Sequence, residues 1–73
     1  MDEFVINGIY EHYKGNRYKL LAIASHSETL ESMVVYKALY GDEKLWVRPA
    51  SMWNEYVDFN DRKVRRFQLI SDK

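Results

Sequence analysis

The chain has 73 residues, no cysteine, and equal numbers of acidic and basic side chains, 11 of each. A domain this small buries only about 60% of the surface of its unfolded chain, and without cysteine it has neither disulfides nor a thiolate metal site to stabilise it. The zero net charge argues against a dedicated nucleic-acid or membrane-surface binder, since both classes need an excess of positive charge. We expect a single domain over residues 1–73, with a loose tail at residues 71–73.

The sequence shows neither the pattern of a signal peptide nor that of a membrane span, and this bears on the location of the protein. The acidic start, MDEFVING, has none of the order of a signal peptide. The longest apolar run, from Leu20 to Ala24, is far shorter than the roughly 20 residues of a membrane span. These features predict a cytoplasmic protein with no membrane contact, and the absence of cysteine fits a reducing compartment.

The first half of the chain predicts three strands. Two β-prone runs, residues 9–13 and 17–25, flank a Lys-Gly-Asn segment that is typical of a hairpin turn. Gly15 can adopt a positive φ at that turn without steric cost. After the polar loop HSETLES, the run MVVYKALY has the β-branched and aromatic residues of a third strand, residues 33–40.

The second half predicts two more strands and a helical turn. A fourth strand, residues 45–48, ends at Pro49, which cannot donate to a ladder. Met52, Trp53 and Tyr56 have the spacing of one side of a helical turn. DFNDRK is then a turn-rich connection, RKVRR a solvated basic run, and residues 64–70 a last strand. This order predicts an all-β, five-stranded SH3-like small barrel; the alternative is an open antiparallel sheet with the helical turn packed on it.

Strand alternation divides the residues of strands three and four between two faces. The aliphatic face is expected to form the core together with Phe67 and Leu69, and consists of Val35, Leu39, Leu45 and Val47. The other face is expected to look outward, and consists of Tyr36, Tyr40, Trp46 and Arg48. Rings beside a guanidinium can stack on a base, contact a peptide, or bind a carboxylate or phosphate. The alternative is that these rings cover a second small core.

The two histidines are the remaining candidates for a site. His12 shares a strand face with Tyr10, so both join the outward aromatic set, although a half-buried His12 bonded to the backbone is the commoner arrangement. His26 opens the segment HSET, where Glu28 offers a carboxylate for acid–base chemistry with either histidine. Hydroxyls in such a loop usually bond backbone amides instead.

Several motifs, read together, resemble a bacterial family of short proteins, domain of unknown function 1653. The pattern G-x-Y-x-H-Y-K-G falls on residues 8–15, H-S-E-T on 26–29, V-V-Y on 34–36, W-V-R-P on 46–49, and R-F on 66–67. Trp53 stands where the family more often has Phe. The resemblance covers about residues 8–70 and implies a compact, β-rich, stand-alone domain without an assigned activity.

The sequence therefore favours a small binding module for a small ligand, a peptide or single-stranded nucleic acid, with nucleic acid disfavoured by the net charge. Its candidate ligand-binding residues are Tyr10, His12, Tyr36, Tyr40, Trp46, Arg48 and His26. The alternatives are a small enzyme that uses His12 or His26 with Glu28, and a homodimerising structural module. No pattern for a metal or a cofactor is present, and the expected state is a monomer or weak homodimer with an unknown ligand or protein partner.

Overall fold

The computed structural model describes residues 4–72, so the acidic Met1–Glu3 and the final Lys73 lie outside the described part. Within it the elements are, in chain order, strands β1 (Ile9–His12), β2 (Arg17–Ser25), β3 (Ser32–Ala38) and β4 (Leu45–Pro49), a 3-10 helix (Ala50–Met52), and strands β5 (Tyr56–Phe59), β6 (Arg62–Arg65) and β7 (Phe67–Ser71). Ser71, which was expected in the tail, still pairs with Ile9.

The strands form one antiparallel five-stranded sheet, in the order β4-β3-β2-β1-β7, and a separate β5-β6 hairpin. The all-β class is confirmed, but the predicted closed barrel is wrong because β4 and β7 are the two sheet edges and do not pair with each other. A side chain reaches from one edge toward the other: the guanidinium of Arg48 on β4 lies 5.2 Å from the ring centroid of Phe67 on β7. The fold is an open sheet with the helical turn packed on it.

The end of the chain contains one hairpin more than the sequence predicted. The strand expected over residues 64–70 is interrupted at Arg66, and the part before it belongs to β6, residues 62–65, which pairs with residues 56–59. Asn60 and Asp61 join them with φ values of 54° and 63°. A two-residue turn with two positive φ values matches the twist of a hairpin, and Asn and Asp tolerate this conformation better than most residues.

The core lies on the face of the sheet that was expected to look outward. The buried hydrophobic cluster consists of Tyr10, Leu20, Val34, Tyr36, Trp53 and Phe67. Phe67 is in the core as predicted, whereas Leu45 and Val47 are 63% and 61% exposed. Leu39 and Leu69 are also exposed, and Val35 is half-buried. The alternation is right and the choice of face is wrong, as is the outward position expected for Tyr10 and Tyr36.

Two rings from outside the central hairpins decide which face is buried. Trp53, directly after the 3-10 helix, stacks on Phe67 of β7 with ring centroids 3.8 Å apart and planes 4° from parallel. The rings of Tyr10 and Tyr36 meet Trp53 edge-on. Four large rings fill more volume than the aliphatic set, and the Tyr10 hydroxyl accepts the Val5 N–H at 3.0 Å, so its burial leaves no unbonded oxygen.

Candidate functional site

An open groove of about 520 Å³ lies between the β1–β2 turn and the β5–β6 hairpin. One wall is the turn, residues 12–15, and the other comes from residues 59–65 of the hairpin. Glu11 and Gln68 also line it. This volume is within the range of small-molecule sites in proteins.

The turn that forms the first wall is held by its own backbone. The His12 N–H donates to the Asn16 carbonyl, and the Gly15 N–H to the His12 carbonyl, both at 2.7 Å. Gly15 has φ of 107°, a conformation that a residue with a Cβ rarely adopts. The sequence KGN therefore places the side chains of Tyr13 and Lys14 at the end of the sheet, on the groove.

The second wall is tied to the first by Arg66, which separates β6 from β7. Its carbonyl accepts the Tyr13 N–H at 3.0 Å, and its own N–H donates to the Glu55 carbonyl at 2.9 Å. The Arg66 Nε also donates to Glu55 Oε1 at 2.6 Å. The rings of Tyr13 and Phe59 then meet edge-on across the groove, with centroids 5.4 Å apart.

The groove has more positive than negative charge. Three cationic side chains line it, Lys14, Arg62 and Arg65, against the single carboxylate of Glu11. That carboxylate is 3.7 Å from the guanidinium of Arg17. Over residues 4–72, neither Lys14 nor Arg62 forms an ion pair with a carboxylate. An anion in the groove would therefore meet two cations that form no ion pair with a carboxylate of the described residues.

His12 connects the groove to the core. Its ring contacts Tyr13, at 4.5 Å between centroids, and Phe67, at 5.0 Å. Burial lowers the pKa of His12 from its ordinary value of 6.5, and neighbouring positive charges lower it further, those of Arg66, Arg48 and Lys14. Its Nδ1 accepts the Lys14 N–H at 3.2 Å, so the neutral ring carries its proton on Nε2.

The low pKa of His12 predicts a loss of stability in acid. Above pH 6.5 the ring is neutral in both the folded and the unfolded chain, and the full stability is present. As the pH falls below 6.5 the unfolded chain takes up the proton first, so the free energy of unfolding decreases until the folded pKa is passed. Urea unfolding at pH 7.5 and 5.5 measures this difference. His12→Gln is expected to make this difference smaller, and a His12→Gln variant that loses as much stability between the two pH values as the wild type would contradict the assignment.

The remaining candidates on the central strands lie away from the groove. Tyr40 is half-exposed and its hydroxyl is 2.9 Å from that of Tyr18; burial and this hydrogen bond raise the pKa of Tyr18 to about 12. Trp46 is 49% exposed at the β4 edge. The Nη1 of Arg48 donates to the Met52 carbonyl at 3.4 Å, and its buried Nε has no hydrogen-bond partner among residues 4–72.

His26 lies at the other end of β2 from His12. The nine residues of β2 separate them, which corresponds to about 30 Å of extended strand. The Nδ1 of His26 accepts the backbone N–H groups of Glu28 and Thr29, at 3.1 and 3.3 Å, and the Thr29 hydroxyl accepts the Glu31 N–H at 3.2 Å. The two histidines therefore share no acid–base site, and the HSET loop bonds its own backbone.

Of the residues that line the groove, the sequence analysis selected His12 and missed the others, among them Tyr13, Lys14, Phe59 and Arg62. The first two lie at the predicted turn, but strand alternation directs attention to strand faces and not to strand ends. The last two flank the Asn60-Asp61 turn. The signal that was available is FNDR, two turn-forming residues between β-prone neighbours, which indicates a hairpin and therefore a second wall.

A family model for DUF1653, described as a protein of unknown function, matches residues 8–69. The chain belongs to the DUF1653 family. The resemblance seen in its motifs is confirmed, and the match includes both walls of the groove. A crystal structure of a DUF1653 protein from Bordetella bronchiseptica is similar to this chain, with 37% sequence identity and a TM-score of 0.82, over 89% of this chain and 86% of that one. No curated protein matches.

Among residues 4–72 of this DUF1653 chain, no cluster of three His, Asp or Glu side chains is placed to hold a metal ion. No helix in the described part is both long enough and apolar enough to span a membrane.

Proposed function

We propose that this DUF1653 chain is a binding module whose groove takes a small anionic ligand that carries a flat ring. The observation that supports it is the presence in one groove of the ring pair Tyr13 and Phe59 and of two cations, Lys14 and Arg62, that form no ion pair with a carboxylate of residues 4–72. This retains the small-ligand form of the module expected from the sequence, and it moves the site from the strand faces to the end of the sheet.

The chemistry of the walls favours an anion with an attached ring over either part alone. A guanidinium binds a phosphate or carboxylate through two parallel N–H groups, and hydrogen bonds between charged groups are about twice as strong as neutral ones. Arg62 supplies that fork, and Lys14 adds a point charge from the opposite wall. Tyr13 and Phe59 present apolar ring surface beside these charges, on which a planar group can stack.

The test is a titration of ¹⁵N-labelled protein followed by the amide signal of Gly15, a lining residue, with three probes. AMP carries a ring and an anion, adenosine only the ring, and ribose 5-phosphate only the anion. We expect AMP to bind most tightly of the three. Arg62→Gln is expected to weaken AMP binding about tenfold, the loss of one hydrogen bond between charged groups.

Lys63→Gln is the matched control for Arg62→Gln. Lys63 is the next residue on β6, and it already pairs with Asp58 at 3.6 Å. The control removes the same charge from the same hairpin without touching the groove lining. Equal weakening by both variants would mean that the effect is general electrostatics, and a Gly15 signal unmoved by all three probes would overturn the proposal.

Ligand binding by Tyr40, Trp46 and Arg48 stays a prediction, and the same spectra test it. The indole N–H of Trp46 gives a separate signal at the far edge of the sheet. A probe that moves this signal and leaves Gly15 unchanged would transfer the site to the surface first expected. A cytoplasmic location and an SH3-like arrangement of the open sheet are also part of the proposal; the cysteine-free sequence agrees with the first, and a 3-10 turn before the last sheet strand agrees with the second.

A further inference from the structure

Strand β4 is a sheet edge with unusually apolar exposed side chains. Leu45, Trp46 and Val47 follow one another and are 63%, 49% and 61% exposed. Proteins commonly protect such edges with charges, bulges or a covering element, because an open edge is a template for another strand. The first three residues of this edge strand carry no charge.

The ladder between β3 and β4 determines which backbone groups of the edge are free. The Ala38 N–H donates to the Lys44 carbonyl at 3.0 Å, and the register continues by pairing Tyr36 with Trp46 and Val34 with Arg48. In an antiparallel ladder every second residue bonds the neighbouring strand. Trp46 and Arg48 therefore point their backbone groups toward β3, and Leu45 and Val47 point theirs outward.

We propose that β4 pairs with β4 of a second copy of this chain, antiparallel, about a two-fold axis at Val47. The backbone N–H of each Val47 would donate to the Val47 carbonyl of the other copy. Each Leu45 N–H would donate to the Pro49 carbonyl of the second copy. Two five-stranded sheets then form one continuous sheet of ten strands. Pro49 has no N–H, so the ladder ends there.

Charge selects this register over its neighbours. With the axis at Val47, Trp46 lies directly opposite Arg48 of the second copy, whose guanidinium contacts Phe67 and the Met52 carbonyl of its own chain, so no like charges stand opposite each other. Moving the axis to Trp46 would place Arg48 opposite Lys44 of the second copy, and like charges in direct opposition destabilise a strand pair. Moving the axis to Leu45 would place Val47 of one copy opposite the turn between β3 and β4 of the other copy, where strand β4 has not yet begun.

The same pairing would add apolar contacts on the outer face of the sheet. Val47 sits beside Val35 on that face, so the two copies would bring their valines together into one aliphatic strip. These are the residues that the sequence pattern assigned to a core. Two five-residue strands make a small interface, of the size of weak complexes, so a dissociation constant on the order of 100 µM is expected.

Sedimentation of the full chain from 10 µM to 1 mM tests the dimer. The wild type is expected to pass from monomer to dimer in this range. Val47→Lys places two cations at the axis, and Val47→Pro removes the outward N–H at the axis itself, a change that an edge strand tolerates. Both variants are expected to stay monomeric at 1 mM, with folding checked by circular dichroism.

Ile70→Lys is the control, because Ile70 is a comparably exposed aliphatic residue, 42%, on the opposite edge strand β7. It is expected to dimerise like the wild type. A wild-type monomer at 1 mM, or a dimer that persists in both Val47 variants, would overturn the proposal. The groove lies at the other side of the sheet, so a failure of AMP binding and a failure of dimerisation are separate results.

Discussion

Trp53→Ala is expected to lower the free energy of unfolding by about 3–5 kcal/mol, the usual cost of removing a buried Trp ring. Trp53 has no exposed surface, and its ring contacts Phe67 face to face and Tyr10 and Tyr36 by their edges. The core of so small a domain supplies only about 3–5 kcal/mol of net stability. Most of the variant is therefore expected to be unfolded at 25 °C, as measured by urea denaturation and near-ultraviolet circular dichroism.

Two variants make this prediction specific to the ring stack. Trp46→Ala removes the same side chain from a half-exposed position, and at 5 µM, below the expected dimer range, it should cost less than about 1 kcal/mol. Trp53→Phe keeps a ring against Phe67 and removes the indole N–H, which is buried without a hydrogen-bond partner in the described part of the chain, so it should cost clearly less than Trp53→Ala. If Trp46→Ala were as damaging as Trp53→Ala, the stack would not be the centre of stability.

Gly8→Ala is expected to cost about 1–3 kcal/mol, although the change adds only one methyl group. A Cβ at this buried position would lie 2.9 Å from Leu69 Cδ1 and 2.9 Å from the Val5 carbonyl oxygen. Gly8 also donates to that carbonyl at 2.9 Å and accepts the Leu20 N–H at 3.0 Å. The backbone on both sides is therefore held, and it cannot move away without loss of these bonds.

A double-mutant cycle with Leu69→Ala separates the two clashes. Leu69 is 40% exposed, so its truncation lowers the free energy of unfolding only a little and frees the space occupied by Cδ1. The Gly8→Ala cost should fall in this background without vanishing, because the Val5 carbonyl stays in place. Thermal unfolding measures all four proteins, and a Gly8→Ala chain as stable as the wild type would contradict the geometry.

Local patterns were sufficient for most of the strands. The run RYKLLAIAS was predicted as residues 17–25 and forms β2 over the same residues, and the Lys-Gly-Asn turn before it has the positive φ at Gly15 that the sequence indicated. Such features depend on neighbouring residues alone. The β5–β6 hairpin was missed because its strands have four residues each, too few for alternation to be distinguished from a polar connection.

The site was only partly predictable for the same reason. His12 was chosen and does line the groove, whereas Phe59 and Arg62 reach it from a hairpin almost 50 residues further along the chain. Their arrival depends on Arg66, which bonds both Glu55 and the backbone of Tyr13. No spacing pattern in the local sequence indicates that Arg66, Glu55 and Tyr13 come into contact.

Taken alone, the sequence determined an all-β domain, its family and the division of each central strand into two faces, because side-chain alternation is a property of any extended backbone. It did not determine which face is inside. Val35 and Tyr36 are adjacent and both hydrophobic, and either could be buried. Tertiary structure decided it, since Trp53 and Phe67 cover the Tyr36 side and leave Val47 to solvent at an open edge.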